Sequence, residues 1–261
     1  MTWSARGFPY QEHEARRKVD QIGSVVMVGS GKGGVGKSFV ASGLALSLAG
    51  MARRTGVLDV DIHGASLPSY LRVRPPLRTG RRGIEPKRSG GVKVMSVALF
   101  TGQNPVPMRG DAKESLITQL VALTDWGPLD YLVVDLPPSM GDELLSAFRL
   151  FGGKSRFLLV TTPSPNALSV VARLRRLIAS ERIPLEGVVL NMAYASERRG
   201  RSYPFGVADA SSVRKMLRAD VIAELPLEPA VNSESLVEVL RKSKETSTAF
   251  KALADRVVRG P

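Results

Sequence analysis

Eight consecutive residues, Gly31 to Ser38 (GKGGVGKS), combine four glycines, two lysines and a hydroxyl in an order suited to holding phosphate. They satisfy the pattern G-x-x-x-x-G-K-[ST] of a P-loop. Successive backbone N–H groups must curl around phosphate oxygens, and a Cβ would block both the curl and the approach. Lys37 is placed to reach the β- and γ-phosphates and Ser38 to hold Mg²⁺ through its hydroxyl, while the start of the following helix adds positive potential. The nucleotide-contacting set expected from the loop is Gly31, Lys32, Gly33, Gly34, Val35, Gly36, Lys37, Ser38 and Phe39, with ATP as the ligand. Lys32 is the unusual member. A cation there is poorly placed for the phosphates that its own loop wraps, and it is better aimed at a nucleotide held by another subunit, as a lysine counterpart of an arginine finger.

Two acids and an amide complete the chemistry. Asp61 lies in DVDIHG, which brings Asp59, Asp61 and His63 to the end of an apolar run, and it is a candidate for orienting the attacking water or anchoring the Mg²⁺ shell. Asp135 closes the run YLVVD ahead of Pro137 and Pro138, the Walker B arrangement, in which an acid beside the phosphate loop holds Mg²⁺ directly or through water. Asn191 ends the run VVLN, and its amide can both donate to and accept from an adenine edge.

These residues need elements to position them. The run VVMVG before the loop and the apolar pattern after it read as strand, phosphate loop, helix. Further strands are expected at Thr55 to Val60, Val92 to Val97, Tyr131 to Asp135, Phe157 to Val160, Val188 to Asn191 and Val221 to Leu225. Helices are expected at Phe39 to Arg53, Lys113 to Trp126, Ala167 to Ala179 and Leu236 to Leu240, and over a C-terminal pattern that repeats Phe250, Leu253 and Val257 and docks on the sheet. Asp59, Asp61, Asp135 and Asn191 then share the carboxyl edge of an α/β sheet, where ligands bind. Residues 1–22 read as an N-terminal extension with a charged helical run, and 23–261 as one P-loop domain with helices on both faces of a mostly parallel sheet. Arg72 to Lys93 reads as an irregular basic excursion, Ala98 to Asp111 as a loop containing Arg109, and Ala193 to Gly206 as a second basic loop.

Composition narrows the class. Lys and Arg number 37 against 24 Asp and Glu, a formal charge of +13, which suits acidic partners such as nucleic acid, nucleotides or anionic lipid. Cysteine is absent, which excludes disulfides, thiolate metal sites and a cysteine nucleophile. No signal peptide or bilayer-spanning apolar run is evident, so a cytoplasmic protein is the expectation.

The segments SGKGGVGKS, LDVDIHGASLPSYL, VKVMSV, MRGDAKESLITQL, DWGPLDYLVVDLPPSMGDE, VTTPSPNAL and GVVLNM follow one another in an order and spacing that resembles the Mrp-type ATPases. These are relatives of MinD and ParA associated with iron–sulfur cluster assembly, and the resemblance runs from about Ser24 to Leu240. It implies a homodimer closed around two ATP molecules, with Lys32 acting across the dimer, Lys37 and Ser38 on phosphate and Mg²⁺, Asp61 serving hydrolysis, Asp135 as Walker B and Asn191 on adenine. It further implies iron–sulfur assembly proteins, or a cysteine-bearing relative, as partners. Two departures stand out. The family's Cys-x-x-Cys pair is replaced by AYASERRGRSYP, so this chain offers no thiolate to a cluster, and Ser139 and Met140 stand where Gly and Thr are usual. The competing expectation is a ParA- or MinD-like positioning ATPase whose ATP-bound dimer grips DNA or an anionic surface through the basic loops.

Overall fold

The computed structural model describes residues 8–61, 64–101, 110–138, 142–197 and 200–260. His63, Arg109, Ser139, Met140, Arg198 and Arg199 lie outside the described residues.

The strands, in chain order, are β1 (Ile22–Gly29), β2 (Thr55–Asp59), β3 (Arg78–Gly80), β4 (Gly83–Glu85), β5 (Lys87–Ser89), β6 (Val92–Ser96), β7 (Leu129–Asp135), β8 (Ser155–Thr161), β9 (Leu185–Glu197), β10 (Gly200–Ser202) and β11 (Val221–Pro226). Among the described residues, nine of them form one sheet in the order β10-β9-β8-β1-β7-β2-β6-β5, with β11 also paired to β9, while β3 and β4 form a separate hairpin. The interior pairings are parallel, and only β5 and β10 run antiparallel to their neighbours.

Helices cover both faces because each central strand is apolar on both sides, and successive side chains alternate between two cores. Val25 and Met27 of β1, with Leu132 and Val134 of β7, meet α1 (Phe8–Asp20), α5 (Gly110–Leu123), α6 (Asp142–Phe151), α7 (Pro165–Ser180) and α8 (Ala210–Leu217). The alternate residues Val26, Val28 and Val133 meet α2 (Lys37–Gly50), α3 (Leu67–Tyr70), α9 (Leu236–Lys242) and α10 (Lys244–Arg259). The N-terminal helix buries Ala15 and Val19 in the first core. Among the described residues no helix is long and apolar enough to cross a membrane.

The helix that follows the phosphate loop is pinned by α10. Phe250 is fully buried, its ring lies edge-on to Phe39 at 5.2 Å, and Phe39 in turn meets Tyr70 edge-on at 5.9 Å. Gly43 makes the approach possible, since a Cβ there would stand 2.2 Å from the Phe250 ring. Phe250→Ala is expected to cost about 3–5 kcal/mol of stability by chemical denaturation, because it removes a buried ring and its edge-on contact with Phe39 together.

Three expectations about connecting segments are corrected. The stretch Ala98 to Asp111 is not wholly loop, because α4 (Ala98–Thr101) turns on the Ser96 hydroxyl, which accepts from Ala98 N at 3.2 Å, and α5 begins at Gly110. The excursion from Arg72 to Lys93 holds the β3–β4 hairpin and the edge strand β5, in which Arg88 pairs antiparallel with Lys93. The segment from Ala193 is not a loop either. β9 continues past Asn191 to Glu197 and turns back through β10, with the Arg201 guanidinium 3.8 Å above the Tyr194 ring and 2.9 Å from Glu245.

Candidate functional site

The phosphate loop leaves β1 at the centre of the sheet, between β8 and β7, and enters α2 at Lys37. Gly34 and Gly36 take left-handed conformations, φ 79° and 80°, which curl the backbone. Gly36 has a second constraint, because a Cβ there would stand 2.1 Å from Nδ2 of Asn191. That amide donates to the Val35 carbonyl at 2.9 Å, so β9 holds the loop from behind.

Lys37 is 6% exposed, and its ammonium lies 2.6 Å from Asp135 Oδ1 and 3.8 Å from Asp61 Oδ2. β1, β2 and β7 bring this about: Val28 pairs with Asp135 on one side of β7 and Asp59 pairs with Asp135 on the other. Asp135 is fully buried, and its Oδ2 has no hydrogen-bond partner among the described residues. Burial pushes its carboxyl above the ordinary carboxylate range, and the Lys37 charge pulls in the opposite direction. Asp61 accepts from Gly64 N at 3.0 Å through Oδ1.

Asp59, two residues before Asp61 and the last residue of β2, has a supporting role. It is fully buried, accepts from Asp61 N at 3.0 Å and from Ser96 Oγ at 2.9 Å, and is pushed up to about 8 by burial and then by the neighbouring Asp135 charge. It therefore fixes the backbone that carries Asp61. The signal available in the sequence is the D-V-D spacing, which sets Asp59 at the end of the apolar run and Asp61 two residues beyond it.

Lys37 and Asp61 open onto a cavity of about 300 Å³ whose lining also includes Lys32, Gly34, Ser38 and Tyr70. Lys32 is exposed at its rim and closes no ion pair among the described residues. A second cavity of about 240 Å³ adjoins it, lined by Phe39, Asn191, Leu227 and Glu228 among others. Gly36, Tyr70 and Met192 border both cavities, a junction that periodicity could not reveal because Tyr70 and Met192 come from α3 and β9.

The residues fit a magnesium nucleotide. The first cavity offers curled backbone amides, a lysine and a hydroxyl beside carboxylates, and Asp135 Oδ2 is a buried acceptor still without a donor. Mg²⁺ usually takes only one or two protein carboxylates at such sites and completes its octahedron with water and phosphate oxygens. Asn191 Oδ1 is likewise buried without a partner among the described residues and borders the second cavity, where an exocyclic amino group would satisfy it. Asn191→Ala is expected to weaken ATP binding about tenfold in a fluorescent-nucleotide titration, since it frees the Val35 carbonyl and removes an acceptor at once.

Comparison with known proteins agrees with this geometry. Residues 21–258 match the ParA family described as NUBPL iron-transfer P-loop NTPase. The chain is 34% identical over 256 residues to the iron–sulfur cluster carrier protein of Saccharolobus solfataricus, covering 94% of this chain and 86% of that protein. It is 37% identical over 220 residues to the chloroplastic Fe–S cluster assembly factor HCF101 of Arabidopsis thaliana, covering 82% of this chain and 41% of that longer protein. Among solved structures, the nucleotide-binding protein of Archaeoglobus fulgidus in complex with ADP superposes with a TM-score of 0.76 at 28% identity, over 92% of this chain and 96% of that one.

Proposed function

Because the chain belongs to the ParA/NUBPL family of iron-transfer P-loop NTPases, we propose that it is a Mg²⁺-dependent ATPase that pairs with a second copy when ATP is bound and serves iron–sulfur or metallocofactor assembly in the cytoplasm. The observation that carries this reading is that Lys37 and Asp61 line one cavity with the glycine loop, while the buried carboxylate of Asp135 pairs with Lys37 at 2.6 Å. Bound Mg²⁺ would supply charge neutralisation at the β- and γ-phosphates, held by Ser38 and Asp135. Lys37 binds and orients the triphosphate, Asp61 positions the attacking water, and Gly36 and Val35 present backbone amides to the phosphates. Asn191 braces the loop and faces the base, and Tyr70 with Met192 stands between base and phosphates, where the ribose lies.

Lys32, exposed where it lines the cavity of its own loop, completes the partner's site. The chain contains no cysteine, so its role in assembly does not use thiolate ligands of its own. Cluster ligands come from a client or from a cysteine-bearing relative in mixed pairs.

The experiment is particle mass by light scattering with and without a slowly hydrolysed ATP analogue and Mg²⁺. The wild type is expected to double in mass with the analogue. Lys32→Ala is expected to bind the analogue yet stay single and to lose most turnover, by about 10³-fold on the scale of an arginine finger supplied in trans. A Lys32→Ala protein that still doubles and hydrolyses normally removes the trans role.

A further inference from the structure

Beside the nucleotide site, on the far side of α3, lies a groove of about 680 Å³ that the ATPase chemistry does not use. Pro68, Val73, Pro75, Ala98 and Leu99 give it apolar walls, and Arg72 and Arg74 give it charge. Both arginines are exposed, and neither closes an ion pair among the described residues, although Arg72 lies within electrostatic reach of Glu238. The basic excursion continues the same charge through Arg78, Arg81, Lys87 and Arg88, with Glu85 as its only acid.

The mixture of walls decides the class of ligand. A phosphate backbone would leave the proline- and valine-lined wall unused, and among the described residues no aromatic ring lines the groove for a base to stack on. An extended peptide alternating carboxylates with small apolar side chains uses both kinds of wall, since guanidinium and carboxylate pair in bidentate fashion. A second copy of this chain would bring a net charge of +13 to a cationic surface.

Both walls are tied to the phosphate cavity. α3 is a single turn whose Tyr70, with Ser66 before it, lines that cavity, while Pro68 and Ser69 line the groove. On the opposite wall, Ala98 N donates to Ser96 Oγ, Ser96 Oγ donates to Asp59, and Asp59 accepts from the backbone of Asp61. A shift of Tyr70 around a bound nucleotide is therefore transmitted to the α3 wall, and a shift of Asp61 to the α4 wall.

We propose that the groove between α3 and α4 is a docking site for an acidic segment of a partner protein, with an affinity linked to nucleotide at the phosphate loop. The linkage rests on the ATPase reading, whereas the docking does not.

The test is fluorescence anisotropy of the full chain with a labelled short peptide alternating glutamate and leucine, with and without saturating ATP and Mg²⁺. Saturable binding is expected, weakened about tenfold or more in the Arg72→Glu, Arg74→Glu double variant. It is expected to be unchanged in Arg173→Glu, Arg176→Glu, which makes the same change of net charge on exposed positions of α7. ATP is expected to shift the affinity severalfold in the wild type and not in Lys37→Ala. Equal loss in both double variants, or no saturable binding, overturns the site. Tighter binding of duplex DNA with the same dependence on Arg72 and Arg74 identifies a nucleic-acid surface instead, and a self-association abolished by the same variant identifies a second copy; either result overturns the proposal. Peptide binding that ignores ATP, in a protein whose ATP binding is confirmed separately by calorimetry, overturns the linkage alone. Absence of ATP binding in that control marks failure of the ATPase reading instead.

Discussion

Lys37→Ala is expected to lower the affinity for ATP with Mg²⁺ at least about a hundredfold by calorimetry, since the lysine–phosphate contacts are charge-assisted and lie in a site shielded from water. The variant should also change stability in a diagnostic way. Lys37 is the cation within 2.6 Å of Asp135 and 3.8 Å of Asp61, with buried Asp59 alongside. Removing it leaves buried carboxylates facing one another, a loss of about 3–5 kcal/mol when a buried pair is broken from one side. The sign of the pH dependence follows from burial. Carboxyl groups whose folded pKa is raised, as those of Asp59 and Asp135 already are, destabilise the fold as pH rises from the ordinary carboxylate range through the folded value. Without the Lys37 charge both are raised further. The melting temperature of Lys37→Ala should therefore fall behind the wild type by more at about pH 8 than at about pH 5. A constant gap across that range indicates that the lysine does not neutralise these acids.

Asp61→Ala is expected to do the converse, keeping ATP affinity within about threefold while turnover falls about 10²- to 10³-fold, the range for loss of a group that handles the proton of the attacking water. The separation is expected because Asp61 lines the cavity 3.8 Å from Lys37, whereas Asp135 forms the short ion pair. Phosphate release measured beside nucleotide binding checks it. A parallel loss of both makes Asp61 a binding residue. Asp59→Asn should lower turnover less than Asp61→Ala, because it keeps the size of the side chain and an oxygen for Asp61 N while discarding the charge.

The central elements were legible in the sequence because their signals are local. The glycine loop, the apolar run VVMVG before it and the apolar runs that lead to Asp59 and Asp135 each lie in a few consecutive residues. Features that depend on a distant partner were not. Asn191 was read for its capacity to meet a base, but its hydrogen bond to Val35 joins residues far apart in the chain. Tyr70 and Met192 gained importance only when α3 and β9 brought them to the junction of two cavities. The serines, arginines and glycine of the β9–β10 segment resemble turn chemistry, whereas the pairing of Arg201 with Ser196 and the stacking of Arg201 on Tyr194 are cross-strand effects that no local pattern carries. The short helix α4 escaped notice for a similar reason, since its first residue is held by a serine hydroxyl at the end of the preceding strand rather than by any apolar period.

The most direct measurement is calorimetric titration of the chain with ATP in the presence of Mg²⁺, repeated on Lys37→Ala. A saturable heat corresponding to one nucleotide per chain, lost in the variant, is the expected result. No heat from the wild type, or the same heat from the variant, contradicts a nucleotide site at the glycine loop.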